Sequence, residues 1–367
     1  MRFLERSDFD RLLSSLVESG YDLIGPTVRD GAVVLEPIDG VHDLPRGVRD
    51  EQGPGRYRLS PTGGDELFAW SHGPDSAKRF LFPAREVLGT VARGDSRMSP
   101  ATSQDGERPL AFVGLRSCDL HAVAIQDRVF MEADPAYRRR RERAVFIGVN
   151  CEHPGSTCFC ASMGAGPRCA VGFDLALTEL PTGFVVEVGG PRGEELIEAV
   201  TTREASEEEE DAALRVTREA EVRMDRTLDT QDMPEVLYRN RRHPRWKEVA
   251  ERCLACGNCT SACPTCFCHD LVDASDITGA RATRTREWAS CFSEEYSWAA
   301  GASVRAGRDA RYRQWLTHKF ASWIDQFGTS GCVGCGRCIT WCPVGIDVTE
   351  EVAVIRATDG EVEVVAQ

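Results

Sequence analysis

Two cysteine runs in the carboxyl-terminal part of the chain share one template, C-x2-C-x2-C-x3-C, and each run is followed by a proline. The first run comprises Cys253, Cys256, Cys259 and Cys263, and the second run comprises Cys332, Cys335, Cys338 and Cys342. Three thiolates at this spacing on a tight loop can reach three irons of one cubane, while N–H groups of the loop point at its sulfides. The fourth cysteine leads away from the loop, and the proline ends the loop by fixing φ. The template therefore predicts two [4Fe–4S] clusters.

This template is the run of bacterial two-cluster ferredoxins, in which the fourth cysteine of each run ligates the other cluster. We therefore assign the ligands in a crossed manner. The first cluster is expected to bind to Cys253, Cys256, Cys259 and Cys342, and the second cluster to Cys332, Cys335, Cys338 and Cys263. The alternative is a zinc ribbon, but its paired C-x2-C knuckles need four ligands in total and no third cysteine in register. Two complete runs favour iron–sulfur clusters over zinc.

Eight of the 16 cysteines lie outside these ligand sets, and the earlier ones suggest a third site. Strand-like segments at 111–114 and 144–149 end just before Cys118 and Cys151, which predicts two neighbouring strands that deliver both thiols to one sheet edge. The third cysteine set, Cys118, Cys151, Cys158 and Cys160, suits a third [4Fe–4S] cluster. Inert buried thiols or a zinc site with four cysteines are the alternatives. Cys266, Cys268 and Cys291 are interpreted as small buried residues near the first cluster.

Charge and composition exclude several classes of protein. The net charge of −14, from 44 basic and 58 acidic residues, argues against binding to nucleic acid or to an anionic membrane surface. No stretch approaches the roughly 18 consecutive apolar residues that a spanning helix needs. The cysteines are clustered as ligands are, whereas disulfide cysteines would be spread to connect loops. We therefore expect a cytoplasmic protein.

The pattern of apolar residues predicts an α+β fold with two domains. We expect a mixed α/β domain at residues 1–240, which opens with an amphipathic helix within residues 1–20. A mainly helical, ferredoxin-like dicluster domain is expected at 241–350, followed by a C-terminal tail at 351–367. The interval 265–331 is far longer than in a compact ferredoxin, and we interpret it as a helical insertion that covers the clusters.

Motifs of catalytic and nucleotide-binding sites are absent from the sequence. The chain contains no G-x-G-x-x-G, no G-x4-G-K-[ST], no G-x-S-x-G and no C-x2-C-H motif. With one-electron carriers in series and no site for a two-electron substrate, the chain is expected to conduct electrons without catalytic residues of its own. Electrons must then enter and leave through other subunits.

Several further segments carry a resemblance to a known family. They lie at residues 114–120, 137–141, 158–164, 172–175, 253–268, 288–292 and 332–347, within roughly residues 75–350. The chain resembles the iron–sulfur beta subunits of cytoplasmic sulfhydrogenases and bidirectional [NiFe]-hydrogenases, and it is similar to the A subunit of anaerobic sulfite reductases. Cys169 departs from the pattern of this family.

The resemblance implies particular partners. It implies a subunit that passes electrons between a partner that carries flavin (FAD) and oxidises NAD(P)H, and a catalytic partner. The catalytic partner would be a [NiFe]-hydrogenase module with small and large subunits, or a sirohaem sulfite reductase. A different class stays open, namely a flavin-binding iron–sulfur subunit of the kind found in the distantly similar beta subunits of deazaflavin-reducing hydrogenases.

Overall fold

A computed structural model describes residues 1–95, 97–100 and 108–359 of the chain. The strands are, in chain order, β1 (Arg2–Glu5), β2 (Asp22–Arg29), β3 (Ala32–Pro37), β4 (Val48–Gly53), β5 (Arg56–Pro61), β6 (Arg85–Ala92), β7 (Ser99–Pro100), β8 (Leu110–Leu115), β9 (Val145–Val149), β10 (Leu175–Leu180), β11 (Gly183–Val188), β12 (Arg203–Glu204), β13 (His269–Ser275), β14 (Arg281–Trp288), β15 (Trp298–Ala299) and β16 (Ala302–Ser303). The α-helices are α1 (Phe9–Glu18), α2 (Lys78–Leu81), α3 (Ser117–Phe130), α4 (Pro135–Arg143), α5 (Pro191–Glu198), α6 (Glu207–Val222), α7 (Met233–Arg239), α8 (Arg245–Arg252), α9 (Asn258–Ser261), α10 (Arg308–Thr317), α11 (Trp323–Phe327), α12 (Arg337–Thr340) and α13 (Val348–Ala357). The predicted mixture of helices and strands is confirmed.

An eight-stranded mixed sheet organises the first part of the chain, in the order β12-β1-β11-β10-β9-β8-β2-β3. The central strands β10, β9, β8 and β2 run parallel, and the outer pairs are antiparallel. Parallel neighbours need long crossovers, which α3 and α4 supply between β8 and β9. Successive side chains point to opposite faces. Val113 and Ile147 therefore pack in one apolar layer with α1, whereas Phe112 and Phe146 pack in the other with α3 and α4.

The two strands predicted to end in a cysteine are neighbours. Strand β8 pairs in parallel with β9, with Phe112 opposite Phe146, and α3 begins directly after β8. Cys118 is therefore the second residue of α3, and Cys151 lies two residues beyond the end of β9. The pairing brings both cysteines to the carboxyl edge of the sheet, as the sequence predicts.

The start of the chain differs from the prediction in one respect. The amphipathic helix is present as α1, but a short strand, β1, precedes it and pairs antiparallel with β11. Phe3 and Leu4 are both fully buried, on opposite sides of the sheet. A helical period in residues 9–17 is visible locally, whereas β1 depends on a partner about 180 residues away and has no local signal.

The interval 265–331 is not wholly helical, which corrects the predicted helical insertion. Its first half is the hairpin of β13 and β14, and β14 also pairs with β6 from the first part of the chain, in a sheet ordered β13-β14-β6-β7. The helical part begins at Arg308, where α10 and α11 are joined by a π-helical turn at His318–Ser322. The pairing of β14 with β6 has no local sequence signal, because the two strands are far apart in sequence.

The segment predicted as a C-terminal tail begins inside a helix. Helix α13 starts at Val348 and continues to Ala357, with Asp347 accepting a hydrogen bond from the Thr349 N–H at its start. Val352 and Ile355 are buried against the dicluster region, so this part belongs to the folded core. The remainder of the predicted tail, 360–367, lies outside the described residues. Every helix in the described ranges is too short or too polar to cross a membrane.

Candidate metal centres

The two cysteine runs form two similar loops. The first loop follows α8, contains left-handed backbone at Ala255 (φ 53°) and Gly257 (φ 76°), and enters α9. This conformation lets the Ala255 N–H donate to Cys253 Sγ at 3.4 Å. In the second loop Gly334 takes the place of Ala255 (φ 66°), and its N–H donates to Cys332 Sγ at 3.3 Å. Both loops therefore aim backbone donors at cysteine sulfur, as ligand loops of iron–sulfur clusters do.

Close packing against a neighbouring segment also requires glycine at position 334. A Cβ at this position would lie 2.6 Å from the carbonyl oxygen of Phe159 and 2.7 Å from the backbone of Cys160. The Phe159 N–H in turn donates to the Gly334 carbonyl at 2.8 Å. The second loop is therefore held directly against the backbone of the segment that carries the third cysteine set.

Each loop borders a cavity that also receives the fourth cysteine of the other run. The first cavity, with about 420 Å³ of empty space, is lined by Cys253, Cys256, Cys259, Cys338 and Cys342. The second cavity, with about 380 Å³, is lined by Cys263, Cys332, Cys335 and Cys338. The structure thus places Cys342 with the first loop and Cys263 with the second, which is the placement that the crossed assignment requires. The ligation itself stays a prediction.

The walls of both cavities suit a cluster held by thiolates. Aromatic side chains, Phe292, Tyr312 and Trp315, line the first cavity, and the Ile346 N–H donates to Cys342 Sγ at 3.3 Å. Phe159 and Trp315 line the second cavity. In the described ranges no three His, Cys, Asp or Glu side chains converge closely enough to hold a single metal ion. The cysteines of the two runs instead line the two cavities together.

The exposure of the two sites differs. Cys256 in the first loop is exposed, whereas the four cysteines assigned to the second cluster are buried or half-buried. Burial raises the pKa of Cys332 to about 12 and that of Cys338 well above its usual value. These thiols are protonated at neutral pH in the absence of metal, so iron must displace their protons when it binds.

Two polar groups, the Cys266 thiol and the buried cation of Lys319, lie beside Cys263. The pKa of Cys263 is held well below its usual value, first by a hydrogen bond from the Cys266 thiol and then by the charge of Lys319. Lys319 Nζ donates to Cys263 Sγ at 3.1 Å and to Thr265 Oγ1 at 2.7 Å. Burial alone would lower the pKa of Lys319, but the negative charge of Cys263 beside it raises the pKa overall. The fourth cysteine assigned to the second cluster is therefore in direct contact with a buried lysine.

The third cysteine set lies next to the second cavity. Its members are all buried. Cys118 and Cys160 share an apolar cluster with Cys335, and the Cys158 thiol donates to the Cys335 carbonyl at 3.6 Å. Burial raises the pKa of Cys160, and the nearby charges of Cys151 and Cys335 raise it further. The structure brings the four predicted thiols together, while a cluster bound to them stays a prediction.

Cys169 belongs to a different environment. It lies in the apolar cluster between the large sheet and α3, where its Sγ would be 3.0 Å from a Cβ added at Gly148. Its N–H donates to Asn150 Oδ1 at 2.7 Å. Burial raises the pKa of Cys169 to about 12. These contacts are those of a small core residue.

The sequence analysis missed the cationic side chains around the cysteines. Arg337, inside the second run, is 1% exposed, and its Nη2 lies 2.9 Å from Asp119 Oδ1 on α3. Lys78 Nζ lies 3.9 Å from the centre of the Trp288 ring. Lys78 also lines, with Cys266 and Cys268, an open cavity of about 930 Å³. No local pattern marks these residues, because their partners come from distant segments.

Comparison with known proteins agrees with this geometry. A family model described as a 4Fe-4S dicluster domain matches residues 252–346. The chain is 32% identical over 288 residues to sulfhydrogenase 2 subunit beta of Pyrococcus furiosus, an alignment that covers 76% of this chain and 82% of that protein. No solved structure matches the chain significantly.

Proposed function

Since the chain belongs to the family of sulfhydrogenase beta subunits, as its resemblance indicated, we propose that it is the electron-transfer subunit of a cytoplasmic hydrogenase-type complex. In this proposal it relays electrons between a subunit that carries FAD and oxidises NAD(P)H and a [NiFe]-hydrogenase module of small and large subunits. The observation that carries the proposal is the pair of cavities lined by crossed cysteine sets, within the matched dicluster segment.

The positions of the cysteines support a linear conduit. Clusters bound at the two cavities would supply one-electron transfer. Cys256 is exposed, so the first site reaches the protein surface, where a redox partner can approach. Cys338 lines both cavities, so the two sites are adjacent. Cys335 connects the second site to the third cysteine set through Cys158. The order of sites is therefore first, second, third, from the surface inwards.

The composition of the purified protein tests the proposal. After anaerobic purification we expect about eight iron atoms and eight acid-labile sulfides per chain for two clusters, and about twelve of each with a third. Dithionite should produce a paramagnetic signal, and the isolated chain should contain no flavin. A preparation that contains only zinc would contradict the proposal, and bound flavin would favour the flavin-binding alternative.

The identity of the catalytic partner requires the native complex. We expect hydrogenase large and small subunits and a flavin-containing subunit to co-purify with the chain. Co-purification of a sirohaem protein instead would favour the alternative, in which the chain is the A subunit of an anaerobic sulfite reductase.

The third cluster is tested by comparing two cysteine variants. Cys118→Ser is expected to reduce the iron content from about twelve to about eight atoms per chain, because it removes one of four ligands. Cys169→Ser is the matched control, since Cys169 is also buried in the first part of the chain but lies in a different apolar cluster. If the wild type and both variants contain equal amounts of iron, the third cysteine set binds no cluster.

A further inference from the structure

Lysine is rare in this chain, and two of its three lysines lie buried near cysteines. The chain contains three lysines and 41 arginines, and two of the three lysines, Lys78 and Lys319, are each 4% exposed. The third, Lys247, is exposed on α8. Lys319 contacts Cys263, and Lys78 lines one cavity with Cys266. The ammonium group of lysine concentrates its charge on one atom, whereas the planar guanidinium group of arginine spreads its charge over several atoms. The structure therefore places its rare point charges beside the cysteines.

Lys319 has no carboxylate among its hydrogen-bond partners in the described residues. Its Nζ donates to Cys263 Sγ, to Thr265 Oγ1 and, at 3.0 Å, to the Gly331 carbonyl, so all three N–H groups are used. A buried cation without an anionic partner is destabilised, because it loses its hydration and gains no opposite charge in return. Of these three acceptors only the Cys263 sulfur can take a full negative charge, because a cysteine that ligates iron is a thiolate. The ammonium group is thus paired with a sulfur assigned to the second cluster.

The backbone around Lys319 is also unusual. The residue lies in the π-helical turn His318–Ser322, between α10 and α11. Such turns are rare and occur frequently at functional sites. Gly331, the third acceptor, directly precedes Cys332, so Lys319 contacts both chain segments that supply ligands to the second site.

The first site has no equivalent cation among the described residues. The hydrogen bonds to its cysteine sulfurs come from backbone N–H groups of Ala255 and Ile346. Arg308 is a basic residue at this site, and it donates to the backbone carbonyl of Cys253 at 2.7 Å rather than to a sulfur. Within the described ranges, the two sites therefore differ in the charge that touches their thiolates.

We propose that Lys319 raises the reduction potential of the second cluster, so that this cluster accepts an electron before the first cluster does. This inference depends on the proposed function, because it requires both clusters. One electron from a low-potential donor adds one negative charge to the cluster and its thiolates. A fixed ammonium group in contact with Cys263 Sγ stabilises that added charge. No bond forms or breaks in this step.

The test is a redox titration of Lys319→Met, followed by electron paramagnetic resonance under anoxia with dithionite as reductant. A hydrogen bond from a charged donor contributes enough to change an equilibrium about tenfold or more. We therefore expect the ratio of reduced to oxidised second cluster, at a fixed potential, to fall by about tenfold. The potential of the first cluster should not change. Cys256→Ser identifies which signal belongs to the first cluster.

Three further variants complete the design. Lys247→Met removes an exposed lysine and should shift neither potential. Lys319→Arg keeps the charge and should retain most of the wild-type potential. Lys319→Gln keeps a donor of similar reach but removes the charge, and it replaces Lys319→Met if that variant loses iron. Both neutral variants should behave alike.

Two negative results are distinguishable. Wild-type protein with far less than about eight irons per chain would mean that the proposed function fails. Full iron content in a neutral variant, with the second potential unchanged or with both potentials shifted equally, would overturn the role of Lys319 alone.

Discussion

Cys342→Ser is expected to abolish the first cluster and to leave the second cluster in place, although Cys342 belongs to the second run. The structure gives the reason, since Cys342 lines the first cavity together with Cys253, Cys256 and Cys259 and does not line the second. Serine cannot provide the thiolate that iron requires. Iron content should fall by about four atoms per chain, and the paramagnetic signal of the first cluster should disappear.

Two further variants make this result specific. Cys263→Ser should have the reciprocal effect, because Cys263 lines only the second cavity. Cys291→Ser is the control, since Cys291 is a buried cysteine of the same region that lines neither cavity. Loss of the second signal with retention of the first in Cys342→Ser would show that each run binds its own cluster.

The parts of the fold that the sequence predicts correctly are those with a local pattern of apolar residues. The segment 111–114 and the segment 144–149 are apolar and bounded by polar turns, and both are strands of the parallel core. The hairpin of β13 and β14 could not be predicted in this way. Its residues are largely exposed and carry a weak apolar pattern, and it is completed by β6, which lies almost 200 residues earlier. Pairing over such distances overrides local propensity.

In the candidate site, too, only the features with a local sequence pattern could be predicted. The spacing of the cysteines predicts the ligands, because three thiolates must come from one loop. The surroundings of the ligands depend on contacts between distant segments. Lys319 reaches Cys263 across 56 residues, and Gly334 packs on Phe159, about 175 residues earlier. A single sequence has no pattern that records these contacts, so the electrostatics of the site had to come from the structure.

Arg337→Met is expected to destabilise the folded protein strongly, because it breaks a buried ion pair between the two halves of the chain. Arg337 Nη2 lies 2.9 Å from Asp119 Oδ1, and Arg337 Nε donates to the Gly73 carbonyl at 2.9 Å. Asp119 is 4% exposed, so the variant leaves a buried carboxyl group without this ion-pair partner. Removing one member of a buried pair costs about 3–5 kcal/mol of unfolding free energy. Chemical denaturation of the iron-loaded protein under anoxia, followed by circular dichroism, measures this loss.

The double variant Asp119→Asn with Arg337→Met separates the ion pair from other contributions. Because the asparagine side chain carries no charge, the double variant should be more stable than the sum of the two single losses predicts. Arg337 lies between the proposed ligands Cys335 and Cys338, so the iron content must equal that of wild type for the comparison to hold. Additive losses in the cycle would mean that Asp119 and Arg337 do not stabilise each other. A positive interaction energy would show that one buried charge pair joins helix α3 of the sheet region to the loop of the second cluster.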